Sequence, residues 1–142
     1  MKKLNRKGFT LVELLAVIII LAIVVGITIP AIMSTTDTAK DRAIKTAADV
    51  AADWIERQYQ LYTVYSGYEP NTGQVEALSN KFATGNSFSI TEASIIQQAG
   101  VKSSNISKID VVINANGRVC ATVTATANGE YKKNATASGG VC

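Results

Sequence analysis

Glu13 stands in the stretch Phe9-Thr10-Leu11-Val12-Glu13-Leu14-Leu15, with apolar neighbours on both sides. An ionised carboxylate at bilayer depth costs about 2.5–3.5 kcal/mol at a helix centre, and less near an end. An acid so placed needs a partner. A cut of the chain between Gly8 and Phe9 would supply one, because the new α-amino group of Phe9 lies four residues from Glu13, about 6 Å along a helix. Within one chain the two would attract weakly. Between neighbouring chains, the cation of one would neutralise the carboxylate of the next. The alternative is a glutamate at the membrane edge that snorkels to water.

The remaining chemistry is sparse. His is absent, which removes the commonest general base and the commonest metal ligand. There is no P-loop, GxGxxG, HExxH or GxSxG, and no Ser–Lys or paired-carboxylate constellation that would carry a reaction. Asp49, Asp53 and Glu56 are better read as a solvated helix face or as groups that pair with another copy of the chain than as metal ligands. No catalytic residue, cofactor or metal site is therefore expected. Two cysteines occur, Cys120 and Cys142. An even pair in an exported domain reads as one disulfide; in a reducing cytosol the two would stay free thiols. Asn105-Ile106-Ser107 and Asn134-Ala135-Thr136 fit the N-glycosylation pattern, although a chain so rich in Asn, Ser and Thr produces such matches by chance.

The positioning elements begin with a short basic stretch, residues 1–8. The chain has 142 residues, room for one domain and one membrane segment, and its formal net charge is +3. Four basic residues (Lys2, Lys3, Arg6 and Lys7) precede Gly8. Without them ten basic residues face eleven acidic ones, a net of −1. A charge near zero gives no general attraction to nucleic acid or anionic lipid, so any role in nucleic-acid uptake stays open. From Leu14 to Met33 there are 20 residues without a charge, about 30 Å as a helix and the thickness of a bilayer's hydrocarbon core. A cleaved secretory signal would have a shorter apolar region and a small-residue cut site after it. The basic residues ahead of the span place the N-terminus in the cytoplasm and everything after Met33 outside.

The spacing predicts one long helix from about residue 9 to 65, roughly 85 Å. Residues 9–33 would be its membrane or self-packing half, and 34–65 an amphipathic continuation. Pro30 lacks an N–H and clashes with the carbonyl of Gly26, so Gly26 to Pro30, with Thr28 between, is a predicted kink or meltable segment. Ile44, Ala47, Ala48, Ala51, Ile55, Tyr59 and Tyr62 form one apolar stripe. Asp41, Lys45, Asp49, Asp53 and Arg57 form the opposite one, with acid-first pairs expected at Asp41–Lys45 and Asp53–Arg57. Residues 66–142 would form the exported head. Ser66 to Gly73 reads as loop, and Val75, Leu78 and Phe82 as a short helical turn. Ser89 and Glu92 read as a capping box before the helix 93–99, which Gly100 ends. Ile109–Ile113 and Val119–Ala125 alternate as strands around the hairpin signal Asn116-Gly117. Asn128-Gly129 suggests a second tight turn into a third strand at Glu130-Tyr131-Lys132, with a fourth near Val141. The fold expected is α+β, a long N-terminal helix on an antiparallel sheet of three to four strands.

Lys7-Gly8-Phe9-Thr10-Leu11-Val12-Glu13-Leu14 resembles the prepilin processing motif: a basic leader ending in Gly, then Phe-Thr-Leu-x-Glu-Leu and a long apolar run. The chain is thus similar to the type IV filament superfamily of pilins and secretion or competence pseudopilins, with a class III, type IVa-like leader. The resemblance covers residues 1 to about 35. It implies that a prepilin peptidase cuts after Gly8 and N-methylates Phe9, and that Glu13 directs subunit addition. It also implies that the chain waits in membrane lipid, and that an inner-membrane assembly platform and a cytoplasmic ATPase drive it into an extracellular homopolymer. Pro30 matches the family's usual helix proline, and a Cys120–Cys142 bond resembles the disulfide that brackets a C-terminal surface loop in pilins. Three roles are open on this reading: a pilus subunit for adhesion, twitching or DNA uptake, a pseudopilin, and a monomeric membrane-anchored binding protein.

Overall fold

The computed structural model describes residues 9–65 and 76–142. The basic leader with Gly8, the expected loop Ser66 to Gly73, and Val75 lie outside the described residues. The chain divides into two compact units, residues 1–37 and 38–142. The elements in order are α1 (Leu11–Val64), α2 (Glu76–Thr84), β1 (Ser87–Ile90), α3 (Ala93–Gln98), β2 (Ile106–Ile113), β3 (Val119–Ala125) and β4 (Thr136–Gly140).

In the first unit, α1 stays helical through Gly26 and Pro30. Near this point the hydroxyl of Thr28 donates to the carbonyls of Val24 and Val25, at 3.0 and 3.2 Å. The hydroxyls of Thr35 and Thr36 both donate to the carbonyl of Ile32. Threonine hydroxyls on a helix back-bond in this way, and such bonds bend or loosen it slightly.

In the second unit, the predicted stripe of α1 is the core face. Ile44, Ala47, Ala48, Ala51, Ala52 and Ile55 are buried, and Tyr59 and Tyr62 pack half-buried at its end. The rings of Tyr59 and Tyr62 lie 5.3 and 5.5 Å from that of Phe82 on α2, and Phe82 lies 5.6 Å from Phe88 on β1. The sheet is antiparallel in the order β1-β2-β3-β4. β3 alternates buried and half-buried residues without exception, as an amphipathic strand must when one face is covered. Between β2 and β3, the Asn114 carboxamide oxygen accepts the N–H groups of Asn116 and Arg118 and so shapes the turn. The α+β layout and the antiparallel sheet are therefore as the sequence predicts.

Three local expectations are corrected. Ser89 is not a helix cap but a residue of β1, paired with Asp110 across the sheet; its hydroxyl bonds the Asp110 carboxylate. α3 is preceded by Glu92, which makes no side-chain cap. Residues 130–132 are not a strand. Glu130 instead bonds Asn105, as acceptor from its carboxamide and as backbone donor to it, and Tyr131 packs half-buried against the core. β4 comes later, at Thr136–Gly140, because two glycines there fit where no other residue would. A Cβ on Gly139 would lie 2.2 Å from the Ala48 carbonyl carbon, and one on Gly140 2.2 Å from the Val119 oxygen. Finally, the ion pair on the charged stripe is Lys45–Asp49, at 2.8 Å, rather than the acid-first pairs. Asp49 also accepts the Gly140 N–H at 3.2 Å, and this second donor fixes the carboxylate where Lys45 reaches it.

One of the two edge strands of the sheet, β1, has four residues. The ammonium of Lys81 donates to the Ser89 carbonyl at 3.1 Å and pairs with Glu92 at the same distance.

Candidate functional site: the N-terminal segment

The site is built on the first turns of α1. Four N–H groups at a helix start lack intrahelical partners. Here Thr10 and Glu13 meet part of that need as a reciprocal box. The Thr10 hydroxyl accepts the Glu13 N–H at 3.3 Å, while Glu13 Oε2 accepts the Thr10 N–H at 2.9 Å and the Thr10 O–H at 2.8 Å. This is the Ser/Thr-x-x-Glu arrangement that closes a helix N-terminus from both sides. The sequence held the signal, Thr10 three residues before Glu13, but the apolar surroundings drew attention to the acid alone.

Beyond the box, Leu11–Ile29 is a 19-residue helix stretch long and apolar enough to cross a membrane, and none of it is buried by the rest of the chain. Phe9 is 86% exposed and every large aliphatic side chain of the stretch is likewise exposed. A Cβ added at Gly26 would meet nothing within 4 Å. An uncovered apolar surface of this length requires lipid or protein against it.

At the other end of the chain, Cys120 and Cys142 form a disulfide, with their Cα atoms 4.9 Å apart. It ties the segment after β4 to the strand that β4 pairs with. Glu56, expected on a solvated or intermolecularly paired face, instead ties α1 to the sheet within the head. Its side chain is 15% exposed, accepts the Val119 N–H at 3.1 Å and pairs with the Arg118 guanidinium at 3.1 Å, so it joins α1 to the start of β3. Asp49, Asp53 and Glu56 thus do not converge, and among the described residues no group of three His, Cys, Asp or Glu is placed to hold a metal ion. Of the two glycosylation patterns, Asn105 is buried (4% exposed) and bonded to Glu130, whereas Asn134 is exposed with φ of 55°.

Residues 3–29 match the family model of the prokaryotic N-terminal methylation motif. No curated protein and no solved structure matches the chain. The match spans the basic leader, the Phe9–Glu13 stretch and the exposed apolar helix together. The match covers this N-terminal segment alone, and the motif is the class III leader that type IV pilins carry.

Proposed function

We propose that this chain is the structural subunit, and the major one, of a type IV pilus. It is held in the membrane by Leu11–Ile29, cut between Gly8 and Phe9 by a prepilin peptidase that also methylates Phe9, and polymerised through its N-terminal helix. The observation that carries this reading is the pairing of a wholly uncovered apolar helix with a single acid near its start. Apolar side chains lose their contact with water equally well in lipid or against copies of themselves, so one surface serves both as anchor and as filament core.

Glu13 gives the addition step its direction. The Phe9 amine of an incoming subunit neutralises the Glu13 carboxylate of its neighbour, and an ion pair in a low-dielectric core is worth most when both charges are matched. The Thr10 box holds the carboxylate in place until then. Gly26 to Pro30 is the stretch that loosens as the helix leaves lipid, since the Gly26 carbonyl has no N–H to accept from Pro30. An inner-membrane platform and a cytoplasmic ATPase supply the work of extrusion, and the pilus serves adhesion, twitching or DNA uptake. The disulfide leans towards a pilin over a pseudopilin, because it lies where pilins carry one that brackets a C-terminal surface loop.

Electron microscopy of sheared surface material, with N-terminal sequencing of this chain, tests the proposal. Long fibres whose subunits begin at methylated Phe9 are expected. Subunits that begin at Met1, or chains that remain single and anchored, would overturn it. Short assemblies confined to the envelope would point to the pseudopilin role.

A further inference from the structure

Two Asn-Gly pairs lie in loops of the second unit, Asn116-Gly117 and Asn128-Gly129. An asparagine before a glycine carries latent chemistry. The glycine nitrogen can attack the asparagine side-chain carbonyl carbon, because no Cβ stands in its way. A bond forms from the glycine nitrogen to Cγ, the Cγ–Nδ2 bond breaks, and ammonia leaves with the proton from the glycine nitrogen. Water then opens the succinimide ring at either of its carbonyls. The product is aspartate, or an isoaspartate whose main chain runs through Cγ and is longer by one carbon. Chemistry alone would treat the two pairs alike.

The structure separates them. Gly117 stands in the β2–β3 turn with φ of 75°, and its N–H donates to the Asn114 carbonyl at 2.9 Å. The Asn114 carboxamide oxygen holds the N–H groups on either side, those of Asn116 and Arg118, at 3.1 and 2.9 Å. The attacking nitrogen there is tied down, with both flanks fixed. In the loop between β3 and β4, Asn128 is exposed, and among the described residues no group accepts the Gly129 N–H or bonds the Asn128 side chain. Gly129 is a glycine for room: a Cβ on it would lie 2.6 Å from Thr126 Oγ1 and 2.9 Å from the Asn105 Cα. The crowding is at the Cβ position, and the nitrogen carries no hydrogen bond that attack would have to break.

What stands behind Gly129 gives this chemistry a consequence. The loop is clamped on the turn that holds Ser104 and Asn105. The Thr126 N–H donates to the Asn105 carbonyl at 2.9 Å, and its hydroxyl to the Ser104 carbonyl at 2.8 Å. Glu130 accepts from the Asn105 carboxamide at 3.1 Å and donates its N–H back to it at 3.3 Å. Asn105 is 4% exposed, so water does not replace these partners while the loop stays shut.

We propose that Asn128 is a site of spontaneous deamidation, and that its isoaspartyl product releases the clamp on Asn105. An extra main-chain carbon between Thr126 and Glu130 does not fit a slot that has no room for a Cβ, so the bonds on one side of it are given up. A buried carboxamide that loses its partners leaves the head less stable. The mark is written without an enzyme and accumulates with the age of the protein. The site holds whether or not the chain forms filaments.

The test uses the full chain in detergent micelles at mildly alkaline pH, where the backbone nitrogen loses its proton more readily. Peptide mapping by mass spectrometry follows deamidation at each Asn-Gly pair, in the folded protein and in urea. When folded, Asn128 is expected to deamidate at least about fivefold faster than Asn116, the factor that one hydrogen bond is worth. In urea the two rates should converge, since neither loop keeps its shape. The isoaspartyl fraction of aged protein should melt at a lower temperature. Freshly purified Asn128→Asp, which adds the charge without the extra carbon, should melt as the wild type does. Equal rates in the folded protein, or faster loss at Asn116, would overturn the site. An isoaspartyl fraction that melts with the unmodified one would overturn release of the clamp, as would an equal fall in Asn128→Asp.

Discussion

The hydroxyl of Thr10 lies 2.8 Å from Glu13 Oε2, and the same oxygen takes the Thr10 backbone N–H at 2.9 Å. One carboxylate thus caps the helix that it is also proposed to join to a neighbour. A side chain that caps its own helix is restricted in rotamer, so its charge is presented in one place. Thr10→Val should remove the two hydroxyl bonds of the box, leaving only the backbone N–H to Glu13, at about 1 kcal/mol. In detergent micelles the amides of residues 11–14 should exchange roughly fivefold faster, and Thr10→Ser should restore protection. Unchanged exchange in the valine variant would show that the box does not hold in solution.

The two halves of the N-terminal chemistry separate by substitution. Gly8→Ile should leave the precursor uncut, visible as an unshifted mass. Glu13→Val should be cut and methylated yet add no subunits, because the incoming amine would meet no counter-charge. Filaments from the valine variant would rule out the proposed pairing.

Cys142→Ser should destabilise the head by about 3 kcal/mol in the chain-entropy account, and lower its Tm by roughly 10 °C or more. Differential scanning calorimetry of the oxidised wild type and the variant reads this directly. Equal melting temperatures would mean that the bond adds nothing to stability.

Gly139→Ala tests the contact between β4 and α1. The added methyl would fall 2.2 Å from the Ala48 carbonyl carbon and 2.3 Å from the Asp49 nitrogen, both backbone atoms. Backbone gives way less readily than a side chain end, so a loss of about 1–3 kcal/mol is expected. Urea titration followed by Trp54 fluorescence would measure it.

The Lys45–Asp49 pair gives a pH dependence. The hydrogen bond from Lys45 holds the Asp49 carboxyl below its ordinary value of 3.8; partial burial opposes this, and the Gly140 N–H adds to it. The folded value is the lower one, so this contribution is fully present above the ordinary value and is lost as pH falls through the lowered one. Both side chains are about half exposed, so the gain is a few tenths of a kcal/mol. Asp49→Asn should flatten the fall of Tm below about pH 4. An identical acid limb in both proteins would remove Asp49 from the account.

Much of this molecule can be read from its residues, and the parts that cannot have physical reasons. The core stripe Ile44–Tyr62 and the alternation of Val119–Ala125 are periodic over many residues, so they are legible without a structure. β1 and β4 are not. Ser87-Phe88-Ser89-Ile90 is short enough for Ser89 to pass as a cap, and Thr136–Gly140 ends in two glycines that argue against a strand until Ala48 is seen behind them. Glu56 and Asp49 look like members of one acidic face. Their partners, Val119 and Gly140, come from strands far along the chain, and no local spacing announces them. The Thr10–Glu13 box was legible in principle, as a four-residue pattern.

The lysine on the outer carbonyl of β1 matters most when many copies stand side by side. A bare strand margin is a template on which another chain can add a rung, and subunits packed along a fibre meet at concentrations where that would be frequent. Four residues offer too short a template, and the Lys81 ammonium occupies the Ser89 acceptor that a new rung would need. In the proposed filament, heads can therefore crowd together at this edge without adding a rung across it.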